Sequence, residues 1–183
     1  MSFSINDIRS NVELDGARPS QFQVTITNPI SPGADIKVPF LCEAADIPAS
    51  SLGEVPIYYF GRAVYFAGDR EFDPWTVTII NDEDFLIRNA MENWQNAINS
   101  LEGNLRNTGT PSATAYKSQA TVSQLGKTGN TIRVYQFSGL FPTQISPISL
   151  AWASTNEIER YQVTFRYDNW EVVGGTTGDA GGR

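Results

Sequence analysis

Apolar and polar residues alternate most cleanly over Trp75-Thr76-Val77-Thr78-Ile79-Ile80, the period-two pattern of a half-buried strand. The period changes directly afterwards. Asn81 stands in a capping position, and Asp82, Glu83 and Asp84 fill a first helical turn, where exposed amides and the helix dipole favour acids. Ile87, Met91, Trp94, Ile98 and Leu101 then recur at helical spacing, with Arg88, Glu92, Gln95 and Asn99 on other faces. Gly103 follows where a left-handed terminator is wanted. The pattern predicts one long helix over Asp82–Leu101, plugged onto the open face of a β-sheet.

The rest of the chain reads as strands and turns. Gln21 to Thr27 places Phe22, Val24 and Ile26 on one face and Gln23, Thr25 and Thr27 on the other. Asn28-Pro29 and Ser31-Pro32-Gly33 mark a turn, and a second strand is expected over Ile36 to Ala44, with Pro39 pointing to an edge or a bulge. Ile47-Pro48 to Gly53 is a loop. Val55 to Phe66 is strand again, either a hairpin about Gly61-Arg62 or one bent strand. Leu105 to Ala115 is a Gly/Thr/Ser/Pro-rich loop. Ser118–Leu125 and Thr131–Phe137 form a hairpin joined by Gly126-Lys127-Thr128-Gly129-Asn130. Ser138 to Pro147 reads as a connection, Ile148 to Ala153 as a short strand, and Arg160 to Tyr167 as the last strand. The expected organisation is an N-terminal arm over 1–20, a mainly β, antiparallel sandwich or barrel-like domain over 21–173 with one long outer helix, and a flexible glycine-rich tail over 174–183.

Composition narrows the chemistry. A chain of 183 residues with 40% hydrophobic content suits one domain with a substantial core. No run approaches the roughly 18 apolar residues of a membrane span, and the start, Met1-Ser2-Phe3-Ser4-Ile5, has no signal-peptide pattern. Cys42 is the single cysteine, so no intrachain disulfide forms, and Phe40 and Leu41 beside it favour a packed, inert thiol. Histidine is absent, which removes the usual general base and the commonest transition-metal ligand. Twenty acids against 13 bases give a net charge of −7, with no Lys/Arg cluster to grip a phosphate backbone.

Candidate sites fail one by one. Gly126-Lys127-Thr128 is like the end of a phosphate loop, but Thr121 stands where its first glycine is needed and a strand follows it instead of a helix. Asp69, Glu71, Asp73 and the trio Asp82-Glu83-Asp84 lack the spacing of a hard-cation loop. Trp75, Trp94, Trp152 and Trp170 could stack on a sugar, yet two of them lie on expected core stripes. No catalytic, cofactor-binding or metal-ligating residue is expected, and the chain reads as no enzyme. One trait stands out: Gln23, Thr25, Thr27, Thr121, Ser123, Gln162 and Thr164 make the polar strand faces neutral, whereas exposed strands commonly carry charge against edge-to-edge pairing.

The order of short segments carries a resemblance. Ala17-Arg18-Pro19 stands before Phe22-Gln23-Val24, and Ala67-Gly68-Asp69-Arg70-Glu71-Phe72 leads into Trp75-Thr76-Val77-Thr78 and Asn81-Asp82-Glu83. Trp94-Gln95, Tyr116-Lys117-Ser118, Gly139-Leu140-Phe141-Pro142-Thr143, Trp152, Asn156-Glu157-Ile158 and Tyr161-Gln162-Val163-Thr164-Phe165 follow in turn. Over about 17 to 171 this series resembles the tail tube proteins of contractile-tailed (myovirus-type) bacteriophages. The Pro-rich turn at Asn28–Gly33 and the glycine-rich end depart from the pattern.

That resemblance implies a structural virion protein of the viral tail. Its copies form hexamers whose inner strands join into a ring-wide β-barrel, and the rings stack into a hollow tube for DNA delivery and genome ejection. It implies a sheath, a baseplate hub, a tape measure and a tail terminator as partners, passing double-stranded DNA without specific binding, assembly in the host bacterial cytoplasm, and no membrane insertion. A ring built by strand pairing uses its own edges, so charged edge guards become unnecessary. The hairpins Ser118–Phe137 and Val55–Phe66 are the expected lumen wall. The arm 1–20 and the loops Asp46–Glu54 and Leu105–Ala115 are the expected ring-to-ring contacts. A tube subunit of a bacterial contractile injection system is the near alternative, and a carbohydrate-binding β-sandwich module the distant one.

Overall fold

The structure, a computed structural model, describes residues 5–12 and 16–175. In chain order the strands are β1 (Phe22–Ile26), β2 (Cys42–Ala45), β3 (Ser51–Tyr59), β4 (Arg62–Glu71), β5 (Trp75–Ile80), β6 (Ser118–Leu125), β7 (Thr131–Ile145), β8 (Arg160–Arg166) and β9 (Asn169–Gly175). The helices are α1 (Ile5–Asn11), α2 (Val38–Leu41), α3 (Leu86–Ile98) and α4 (Ala113–Tyr116), with a 3-10 turn at Pro32–Ala34. The chain is thus mainly β, and every strand pairing is antiparallel.

β7 is the strand that joins two sheets. Its first half lies between β6 and β9, and β1 extends that first sheet beyond β6. Its second half pairs with β8, and β5 and β2 extend the second sheet from there. The change of direction falls at Gly139, an extra residue in the register between Gln119↔Ser138 and Ser118↔Leu140, at φ +70°. That is a glycine bulge, which bends a strand where one partner ends and another begins. A Cβ at Gly139 would collide with Asp168 Oδ2, and Lys117 Nζ fixes that carboxylate at 2.6 and 2.8 Å. Gly139→Ala is therefore expected to cost about 1–3 kcal/mol through backbone strain, read as a lower urea midpoint; an unchanged midpoint would show that the bend needs no left-handed residue.

The inward residues of the two sheets make one core. Val24, Ile26, Ala120, Val122 and Phe137 of the first sheet face Trp75, Val77, Tyr161, Val163 and Phe165 of the second, all buried. Trp75 stacks on Phe137 across the gap, ring centres 4.4 Å apart. Helix α3 lies on the same core, burying Ile87, Ala90, Met91, Trp94 and Ala97. Trp94 is fully buried against Phe165 and donates from Nε1 to the Tyr116 carbonyl at 2.7 Å. Asn28, also buried, ties the Pro-rich turn to this helix. Its Nδ2 donates to the Ala90 carbonyl at 3.0 Å, and its Oδ1 accepts from the amides of Ile30 and Ser31.

Several expected boundaries are corrected. The helix covers Leu86–Ile98 and not Asp82–Leu101, and it is the longest of the four described α-helices. Asn81 does not cap it: its amide and Nδ2 donate to Glu159, and the left-handed Phe85 precedes the helix. The acids before it form a turn in which Asp84 Oδ1 accepts from the Leu86 amide at 3.0 Å. At the other end Asn99 is already extended, so Leu101 is 94% exposed and Gly103 terminates nothing. The strand expected over Ile36–Ala44 is mostly turns and α2, because Pro39 suits the first turn of a helix; only Cys42–Ala45 is strand. Ser138–Ile145 is strand and not a connection, with Pro142 beside a register shift, a position a strand tolerates for proline. Ile148–Ala153 is loop, since no neighbour offers it a ladder. Arg160–Arg166 is followed by β9, which takes in Gly174 and Gly175 of the expected tail; 176–183 lie outside the described residues.

Candidate functional site

The hairpin of β3 and β4 is a two-stranded sheet of its own, with no other described strand beside it. Its register places Val55 opposite Phe66, Ile57 opposite Val64 and Tyr59 opposite Arg62, which gathers five apolar side chains on one face. The other face carries Pro56, Tyr58, Ala63 and Tyr65. Every one of the larger side chains is at least half exposed, from 50% at Val55 and Val64 to 73% at Tyr58. A lone hairpin is marginal in water, and a contiguous apolar patch of this kind marks an interaction surface. Its two strands approach closely near the base, beside a register shift, where a Cβ on Gly68 would meet the Gly53 backbone at 2.9 Å.

The first sheet adds a second surface. The residues of β1, β6, β7 and β9 that point away from the core are Gln23 and Thr25, Gln119, Thr121 and Ser123, Ile132, Val134, Gln136 and Ser138, and Asn169 and Glu171. Thr25 and Thr121 hydroxyls hydrogen-bond across the ladder, and Gln136 Nε2 donates to Gln119 Oε1 at 2.6 Å. No lysine or arginine stands among these strand residues. The outer face of the second sheet differs: beside Gln162, Thr164, Thr76 and Thr78 it carries Arg160, paired with Glu43 at 2.6 Å, and Arg166. β1 and β9 are the edges of the first sheet among the described strands, and β2 is an edge of the second.

The candidate chemistry is dispersed. Gly126–Asn130 is a tight hairpin turn closed by Gly129 N–H to the Gly126 carbonyl at 2.9 Å, with strand on both sides, so it cradles no phosphate. Lys37 bridges the acids before α3, reaching Asp82 at 2.9 Å and Asp84, and its hydrogen bond holds the Asp84 carboxyl below the usual range. Asp69 and Glu71 lie on β4. Among the described residues no three His, Cys, Asp or Glu side chains converge as metal ligands. Trp75 and Trp94 are in the core, Trp170 is half-buried with its Nε1 on the Ala49 carbonyl, and Trp152 is fully exposed, so the four build no stacking platform. Burial pushes the Cys42 thiol up to about 12, which leaves it protonated and inert.

What the sequence pattern missed is the isolation of β3–β4. The signal was present in Tyr58-Tyr59-Phe60 and Val64-Tyr65-Phe66, where apolar residues run consecutively and both strand faces become sticky.

Comparison with known proteins agrees in sequence and in shape. A family model described as phage tail tube protein matches residues 17–173. The chain is 36% identical over 158 residues to tail tube protein gp19 of Enterobacteria phage T4, covering 86% of this chain and 92% of that protein. It is 27% identical over 169 residues to a tail tube protein of Serratia phage KSP90, covering 90% and 94%. Among solved structures, a chain of the sheath/tube terminator of an extracellular contractile injection system superposes with a TM-score of 0.60 at 15% identity, over 84% of this chain and 94% of that one. At that identity the match speaks for the fold alone.

Proposed function

Because the chain belongs to the phage tail tube protein family, we propose that it is the structural subunit of a contractile phage tail tube, in which hexameric rings stack into a conduit for double-stranded DNA. The observation that carries this reading is the β3–β4 hairpin. Its apolar face and both its strand edges are unsatisfied in one subunit, and a neighbouring copy supplies what they lack. A ring closes by such heterologous contacts and then presents two different faces for stacking.

The neutral face of the first sheet is the lumen side in this reading. DNA carries one charge per about 1.7 Å of helix axis, and on this face Thr, Gln and Ser with Glu171 offer it no cation to stick to. The arginine-bearing second sheet and α3 then lie outward. The hairpins β6–β7 and β3–β4 supply the wall. The arm, the segment 46–54 and the loop after α3, with Leu101 and Leu105 exposed, meet the next ring. The role is mechanical and not enzymatic, with sheath, baseplate hub, tape measure and terminator as partners and assembly in the host cytoplasm. A tube of a bacterial injection system is the second reading, favoured by the shared fold; the closer sequence likeness lies with phage proteins.

Electron microscopy of the purified protein, alone and seeded with tail baseplates, tests the proposal. Hollow tubes are expected; monomers in both conditions would overturn it. A lumen variant gives an independent reading. Thr121→Lys with Gln136→Lys is expected to leave tube length unchanged and to lower the number of DNA-delivering particles at least tenfold at low salt, recovering as salt screens the attraction. Undiminished delivery would remove the first sheet from the lumen.

A further inference from the structure

A cation borders the neutral face of the first sheet. Lys117 stands immediately before β6 and is already extended, at φ −78° and ψ 142°, so the alternation of the strand puts it on the side of Gln119, Thr121 and Ser123. It lines an open cavity of about 640 Å³ together with Thr114, Gln119, Gln136, Ser138 and Asp168. Its charge is answered on the spot. Nζ donates to both oxygens of Asp168, at 2.6 and 2.8 Å, and lies 6.0 Å from the centre of the Phe141 ring. The Asp168 backbone is held too, its amide donating to the Ser138 carbonyl at 2.9 Å. The carboxylate occupies the space that Gly139 leaves by having no side chain. The glycine bulge thus bends β7 and also admits an acid beside the lysine.

We propose that Asp168 is a charge mask: it cancels Lys117 on the wall of the conduit, so that passing DNA meets no free ammonium there. This rests on the tube reading with the first sheet on the lumen side, and it assigns the residue that keeps that side neutral. A lone ammonium would displace a condensed counterion from a DNA phosphate, the exchange that drives sequence-independent binding, and every subunit along the tube would repeat the contact. The close pair presents a dipole instead, whose field falls off faster with distance than that of a single charge. The order of exposure adds to this. The Asp168 side chain is 60% exposed and that of Lys117 only 25%, so an approaching phosphate meets the carboxylate ahead of the cation.

Three variants separate masking from a merely structural ion pair. Asp168→Asn leaves a lone cation, Lys117→Met leaves a lone acid, and the double variant leaves neither. All three are expected to build tubes of wild-type length. Particles carrying Asp168→Asn should deliver DNA at least tenfold less often at low salt and recover as salt screens the attraction, whereas Lys117→Met and the double variant should deliver as the wild type does. Equal losses in all three would mark the pair as structural and overturn the proposal, as would failure of Asp168→Asn to assemble where Lys117→Met does. Normal delivery by Asp168→Asn, with Thr121→Lys plus Gln136→Lys impaired, would overturn the mask and leave the lumen assignment intact. Normal delivery by both would overturn the two together, and no tubes from the wild-type protein would overturn the tube reading itself.

Discussion

A subunit with lysine at both Ile57 and Val64 is expected to fold normally and to build no tube. The two residues stand opposite each other in the β3–β4 register, 54% and 50% exposed, so little packing inside the subunit depends on them. Substitutions at such positions usually stay within about 0.5 kcal/mol, and the thermal midpoint should move by no more than about 2–4 °C. In the proposed ring the same two positions would lie under a neighbour. Two ammonium groups would then be desolvated at every subunit contact, at several kcal/mol per ion even after relaxation, and the penalty recurs at each contact of the ring. Sedimentation and negative-stain microscopy read the outcome. Tubes at wild-type yield from this variant would mean that the hairpin face stays in water after assembly.

The largest effect on the subunit itself is expected at Trp94. The side chain is fully buried, packs on Phe165 and holds Tyr116 through its indole N–H at 2.7 Å. Trp94→Ala combines a large cavity with an orphaned carbonyl and should cost about 3–5 kcal/mol, a large share of the 5–15 kcal/mol available to a typical domain. Trp94→Phe keeps most of the volume and loses the hydrogen bond. The difference between the two variants in urea therefore separates packing from the roughly 1 kcal/mol of the bond. A loss below about 1 kcal/mol for the alanine variant would mean that α3 contributes little to the core.

The parts that read well from sequence were those whose local period matched their burial. Trp75–Ile80, Phe22–Ile26 and Arg160–Arg166 alternate as they pack, and Ile87, Met91 and Trp94 fall on the buried stripe of α3. The errors have local causes of another kind. Asn81-Asp82-Glu83-Asp84 has the composition of a helix start, but Glu159 and Lys37, distant in sequence, take those groups into a turn. Gly139 and Pro142 look like punctuation between elements, yet partners on both sides of β7 carry the strand through them. Ile148 to Ala153 alternates like a strand and has none beside it.

The family and the mainly β class were decided by sequence, because period-two alternation and the order of short segments are written residue by residue. So was the neutrality of the polar faces, since Thr, Gln and Ser are visible wherever they end up. Sequence could not say which neutral face lacks arginine, because that depends on which strands share a sheet: β1, β6, β7 and β9 on one side, β5 and β8 with Arg160 and Arg166 on the other. Nor could it show that Val55–Phe66 stands apart from the core. Strand pairing is a contact between residues far apart in the chain, and only the folded arrangement reveals which edges and faces a single subunit leaves for another to cover.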